Sequence, residues 1–113
     1  MRLNGMTAVV TGGASGMGES MVFALAKEGA SIVVVDRNID GANAVVSNVE
    51  KQGGKAICVK ADVQSTDELD AMANEAMDTF GKINILVNNA GARVIKGFLE
   101  HTKEDWETML GIN

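Results

Sequence analysis

Four apolar runs punctuate the chain, and helical patterns of hydrophobic and polar positions fill the intervals between them. The runs are Thr7 to Thr11, Ser31 to Asp36, Lys55 to Lys60 and Ile83 to Asn88. In the second, Ile32, Val33, Val34 and Val35 are apolar without a break. Continuous β-branched runs predict strands covered on both faces, as in parallel sheets, whereas half-exposed strands alternate. The first helical pattern extends from Gly16 to about Glu28 and stops at Gly29, with Met21, Val22, Leu25 and Ala26 on its inward face. The second begins at Asn38, a good N-cap residue, and ends at Gly53-Gly54. The third opens with a capping box, Ser65 with Glu68, and closes at Gly81. Leu69, Met72, Ala73, Ala76 and Phe80 recur on it at helical spacing. A fourth helix is expected from Thr102, with Asp105 three residues on, running to Asn113.

The alternation β-α-β-α-β-α-β predicts an α/β protein, a doubly wound parallel sheet of the Rossmann type with right-handed crossovers. Its strand order is expected to be 3-2-1-4, reversing between the first and fourth strands. A length of 113 residues suits one domain spanning residues 1–113, and a hydrophobic content of 46% suits a packed core. The net charge is −5, with acids and bases interspersed. That excludes the basic stripe of a nucleic-acid binder, and no cationic amphipathic segment points to a membrane surface. No apolar run approaches spanning length, and Met1 to Gly5 is too short and polar for a signal peptide. Cys58 is the single cysteine and lies in an apolar stretch, so it is expected as a small buried hydrophobe in a reducing, cytoplasmic setting. No His, Cys, Asp and Glu spacing suggests a metal site, and the seven methionines read as core filler. Lone His101 reads as a solvated loop residue, and Arg93 and Lys96 as surface cations.

The chemistry concentrates at the carboxyl ends of the runs. Thr11-Gly12-Gly13-Ala14-Ser15-Gly16-Met17-Gly18 sits between the first strand and the first helix. Glycines let the backbone turn tightly and approach a diphosphate, and the free amides and positive end of the helix face its charge. Ser15 offers a hydroxyl donor to a phosphate oxygen. Asp36 ends the second strand, 18 residues past Gly18. A carboxylate at about this distance hydrogen-bonds the adenine ribose hydroxyls of NAD and repels the extra phosphate of NADP. Arg37 is able to neutralise such a phosphate or to stack on adenine. The alternative for this pair of positions is simple initiation of the second helix by Asp36 and Asn38. Asp62 follows the third strand, where it can accept from the adenine amino group while Val63 packs on the ring; otherwise it is a loop residue before Ser65. Asn88, Asn89, Ala90 and Gly91 end the fourth strand at the topological switch point. Their asparagines can tie strand ends together, and Ala90-Gly91 admits a ribose.

Thr11 to Gly18 reads T-G-x-x-x-G-x-G. Together with Asp62-Val63, Asn88 to Gly91 and the closing Trp106 to Asn113, the chain resembles the short-chain dehydrogenase/reductase family over essentially its whole length. It is similar to the subgroup holding 3-oxoacyl-carrier-protein reductases, glucose dehydrogenases and small alcohol dehydrogenases. The resemblance implies an oxidoreductase that moves a hydride between a nicotinamide cofactor and a small carbonyl or alcohol substrate. It implies a phosphate turn at Gly12, Gly16 and Gly18 flanked by Ser15 and Met17. Asp36, and a serine in place of a basic residue at position 15, imply NAD over NADP. Further implied are an adenine pocket at Asp62 and Val63, and a ribose-lining segment at Asn89, Ala90 and Gly91. Asn88 is implied as a brace of the central strands. Asn113 matches the asparagine of the catalytic tetrad, which supports a water in the proton relay. Relatives are commonly homo-oligomers, dimers or tetramers.

The family's proton chemistry needs a tyrosine, a lysine four residues after it and an upstream serine. The 113 residues contain no tyrosine, and their serines at 15, 20, 31, 47 and 65 match no catalytic position. Two readings result: the cofactor-binding N-terminal piece of a longer dehydrogenase, inactive alone, or a non-catalytic dinucleotide-binding or sensor module. The apolar fourth strand, and Trp106, Met109, Leu110 and Ile112, all need cover, which favours the first.

Overall fold

The computed structural model describes residues 2–91 and Lys103. The helix expected from Thr102 and the residues Arg93, Lys96, His101, Trp106 and Asn113 lie outside the described residues. The element order is β1 (Thr7–Thr11), α1 (Gly16–Lys27), β2 (Ser31–Asp36), α2 (Ile39–Lys51), β3 (Ala56–Lys60), α3 (Thr66–Phe80) and β4 (Ile85–Val87). All strand pairs are parallel, and the sheet order is β3-β2-β1-β4, as the alternation predicts. In the register, Thr11 stands beside Val35, Val10 beside Val87, and Asp36 beside Lys60. The carboxyl ends of the four strands therefore share one edge of the sheet.

The continuous β-branched runs are the strands covered on both faces. Ala8, Val10, Ile32 and Val34 point to one side, where they pack with Val22 of α1 and Ala42, Val45 and Val49 of α2. Val9, Val33, Val35 and Val59 point to the other and meet Met72 and Ala76 of α3. Period-two alternation along a strand feeds two separate cores, so both need apolar residues. The β3 and β4 strands form the two edges of the described sheet and are only partly buried.

Local signals set the helix ends. The Asn38 side chain accepts from the Gly41 amide at 3.1 Å and caps α2. Ser65 accepts from the Glu68 amide at 3.2 Å, which is half of the expected box. The reciprocal half is absent because the Ser65 amide is donated to the Asp62 carbonyl. Gly81 closes α3 in the left-handed conformation, φ 77°. β4 is shorter than the expected Ile83 to Asn88. At its start Asn84 holds Thr7 from both sides: its side-chain oxygen accepts from the Thr7 amide and its own amide donates to the Thr7 carbonyl, each at 2.9 Å. A side chain thus replaces the backbone acceptor that regular pairing would supply there. Cys58 corrects another expectation, for it is only half-buried; on edge strand β3 its Sγ donates to Asn43 Oδ1 at 2.8 Å.

Candidate functional site

A cleft of about 320 Å³ opens at the carboxyl edge of the sheet. Gly12 and Ser15 of the glycine turn line it, with Asp36 and Arg37 after β2, Ala61, Asp62 and Val63 after β3, and Asn89, Ala90 and Gly91 after β4. The short parallel strands place these four chain segments side by side although they are far apart in sequence.

The turn after β1 is moulded on the end of β2. The amides of Gly12 and Gly13 both donate to the Val35 carbonyl, at 2.8 and 3.4 Å, and the Ala14 amide donates to Asp36 Oδ2 at 3.1 Å. Among the described residues, the next four amides, those of Ser15, Gly16, Met17 and Gly18, have no acceptor. Ser15 occupies the N-cap position without using its side chain as a cap, so its hydroxyl is also uncommitted. An α-helix leaves its first amides unpaired, with partial positive charge concentrated there. Here those amides open beside the cleft, a geometry suited to an anion.

The glycines divide their work. Gly12 and Gly16 have positive φ, 66° and 58°, which bends the chain into the turn. A Cβ on Gly16 would meet nothing within 4 Å, so the space beside it is open. Gly18 does not line the cleft. A Cβ there would collide with the Gly12 carbonyl oxygen and lie 2.6 Å from Asn89 Nδ2. Its role is to let α1 sit close against the β1 and β4 ends. Gly16 is exposed and Met17 is 72% exposed, and neither lines the cleft.

Thr11 and Asn89 lock the two central strand ends together. The buried Thr11 hydroxyl donates to the Val87 carbonyl at 3.2 Å and accepts from the Asn89 and Ala90 amides at 3.0 and 3.1 Å. Asn89 Nδ2 donates to the Gly12 carbonyl at 3.2 Å. Among the described residues these are the ties between turn and β4, and Asn88, expected as the brace, is exposed. The part played by Thr11 was not read from its place in the motif, since a threonine at a strand end reads as ordinary β-former until its neighbour across the sheet is known.

Asp36 is half-buried, and both its oxygens are engaged: Oδ1 accepts from the Asn38 amide at 3.0 Å and Oδ2 from Ala14. Each carboxylate oxygen retains accepting capacity toward the cleft. Across the mouth, Arg37 Nε lies 3.8 Å from Asp62 Oδ2, an ion pair between two residues that the sequence reading treated separately. Asp62 Oδ1 also accepts from the Gln64 amide at 2.9 Å, which fixes the loop leading into α3. Ala61 is the lining residue that sequence reasoning missed. It is buried, its amide donates to the Asp36 carbonyl at 3.3 Å, and its only signal is its place between β3 and Asp62. Asn113 lies outside the described residues.

A parallel sheet reversing at its β1–β4 boundary, with a glycine turn and uncapped amides at that boundary, defines a doubly wound α/β architecture. The sequence model described as short chain dehydrogenase matches residues 6–113, and the chain belongs to that family. The 7alpha-hydroxysteroid dehydrogenase of Escherichia coli strain K12 is 43% identical over 98 residues, covering 87% of this chain and 38% of that protein. The 3beta-hydroxysteroid dehydrogenase 2 of Eggerthella lenta is 38% identical over 114 residues, covering 98% of this chain and 43% of the relative. A crystal structure of hydroxysteroid dehydrogenase from Escherichia coli superposes with a TM-score of 0.93 at 39% identity, over 99% of this chain and 47% of that one. The chain thus spans less than half the length of these relatives.

Proposed function

We propose that this chain is the NAD-binding portion of a short-chain dehydrogenase that interconverts a small alcohol and its carbonyl compound. The observation that carries the reading is the convergence, on one cleft, of Ser15, the first of the unpaired amides at the start of α1, and the Asp36 carboxylate at the end of β2. A dinucleotide fits this donor set. The amides of Ser15 to Gly18 and the Ser15 hydroxyl would hold the diphosphate, and the open side of Gly16 leaves it room. Asp36 would accept from the adenosine ribose hydroxyls. Asp62, Val63 and Ala61 would border the adenine, and Asn89, Ala90 and Gly91 the second ribose. Bound there, the nicotinamide would give or take the hydride.

NAD fits better than NADP. Asp36 would repel a 2′-phosphate, and Arg37, a cation able to neutralise it, is paired with Asp62. Titration calorimetry of the full chain with each nucleotide is expected to show tighter binding of NAD, with the ratio narrowed in Asp36→Ala. Preference for NAD that persists undiminished in the variant overturns the ribose assignment. The family membership supports a dehydrogenase or reductase as the parent. In the parent, Asn113 is proposed for the proton relay, with the remaining proton-transfer groups and the substrate pocket supplied beyond it, and a homo-oligomer as the assembly. A second reading is a nucleotide-binding module without chemistry. Both readings expect no hydride transfer by these residues alone, followed as nicotinamide absorbance; cofactor-dependent turnover would refute both. The parent's own turnover then separates the two.

A further inference from the structure

We infer that Asp36 is a positioning residue for the diphosphate turn, in addition to any contact it makes with a sugar; the inference rests on the nucleotide reading above and deepens it. The turn has three successive amides directed at the end of β2. Those of Gly12 and Gly13 share one acceptor, the Val35 carbonyl, and the second of these bonds is long at 3.4 Å. The third, from Ala14, ends on Asp36 Oδ2 at 3.1 Å. Ala14 is the last residue before the stretch of unpaired amides at Ser15, Gly16, Met17 and Gly18. The carboxylate is therefore the final anchor between the sheet and the glycine-rich residues that would face the anion. The Ser15 side chain provides no substitute, because it makes no cap bond.

The same carboxylate is itself held. Oδ1 accepts from the Asn38 amide at 3.0 Å, and the Asn38 side chain caps α2 through Gly41 at 3.1 Å. A rigid route thus runs from the α2 start through Asp36 to Ala14. Its consequence is opposite in sign to that of simple charge. A ligand that carries phosphates but no ribose hydroxyls would gain or lose nothing from Asp36 as a sugar ligand, and would gain from removal of a nearby negative charge. If Asp36 positions the turn, such a ligand instead binds more weakly when the carboxylate is removed, because the amides must be ordered at the moment of binding.

The test uses the full chain, its Asp36→Ala and Asp36→Asn variants, and 2′,3′-dideoxyadenosine 5′-diphosphate as probe. Amide hydrogen exchange at Ala14 without ligand is expected to quicken about tenfold in Asp36→Ala, and probe affinity to fall about tenfold, the scale of one charge-assisted hydrogen bond. Asp36→Asn, which keeps one accepting oxygen, is expected to recover part of both. Unchanged exchange at Ala14 overturns the anchor. Faster exchange with equal or tighter probe binding overturns its role in positioning. Failure of the unmodified chain to bind NAD or the probe overturns both the nucleotide reading and the positioning role, whereas retained NAD preference in Asp36→Ala strikes only the ribose contact.

Discussion

At the scale of single residues, the site depends on atoms that are missing as much as on those present. Gly18 carries no Cβ where one would strike the Gly12 carbonyl and press on Asn89 Nδ2 at 2.6 Å. Both groups belong to the lock between turn and β4, so neither can yield without breaking the Asn89 bond to Gly12. Gly18→Ala is therefore expected to destabilise the fold by about 1–3 kcal/mol in urea unfolding and to abolish measurable nucleotide binding. Cys58 shows a quieter effect. Burial pushes its thiol above the ordinary value of 9.0, and the Glu75 charge adds to that rise against a backbone hydrogen bond that opposes it. The folded chain then holds this proton where the unfolded chain has released it. Stability from this source is complete below the unfolded thiol's pKa and is lost as pH rises through the folded one. The stability of the wild type relative to Cys58→Ala should accordingly fall as pH rises beyond the ordinary thiol range, followed by denaturant midpoint.

At the scale of elements, the strands and helices were legible because both cores follow from one rule. Val9 and Val10 are adjacent in sequence but belong to opposite faces, and only a strand buried on both sides needs both. Helix ends were legible wherever a short polar side chain caps its own chain, as Asn38 and Ser65 do. What stayed illegible were partnerships across the sheet. Asn84 trims β4 by bonding Thr7, 77 residues away, and Thr11 reaches Val87, Asn89 and Ala90 at separations of 76 to 79. Nothing local announces such bonds. Thr11→Val keeps the volume and removes the hydroxyl, leaving the Ala90 amide without its partner in a part-buried place, while the Asn89 amide and the Val87 carbonyl keep only their bond to each other at 3.1 Å. A loss of about 1–3 kcal/mol is expected from denaturant unfolding, with Thr11→Ser retaining most of the stability. A larger loss in Thr11→Ser than in Thr11→Val would assign the effect to the threonine methyl instead.

At the scale of the whole molecule, the glycine turn, Asp36, Asp62 and Asn89 to Gly91 could be placed together from sequence because parallel topology sends every strand's carboxyl end to the same edge. Their mutual bonds, Asp36 to Ala14 and Arg37 to Asp62, required coordinates. That common edge has a thermodynamic consequence. A nucleotide bound as proposed would touch segments following β1, β2, β3 and β4 at once, and these segments separate when the sheet unfolds. Such binding would be restricted to the folded chain, and mass action would make it stabilising. At a free concentration one hundred times its dissociation constant, NAD should raise the unfolding free energy by about 2.7 kcal/mol. Thermal unfolding followed by circular dichroism checks this, with the midpoint rising continuously as NAD is added. Adenosine, which lacks the diphosphate, cannot engage the start of α1 and should give a much smaller rise at equal concentration. Equal effects of the two would mean that the amides from Ser15 to Gly18 contribute nothing to binding, and the site would reduce to an adenine pocket beside Asp62.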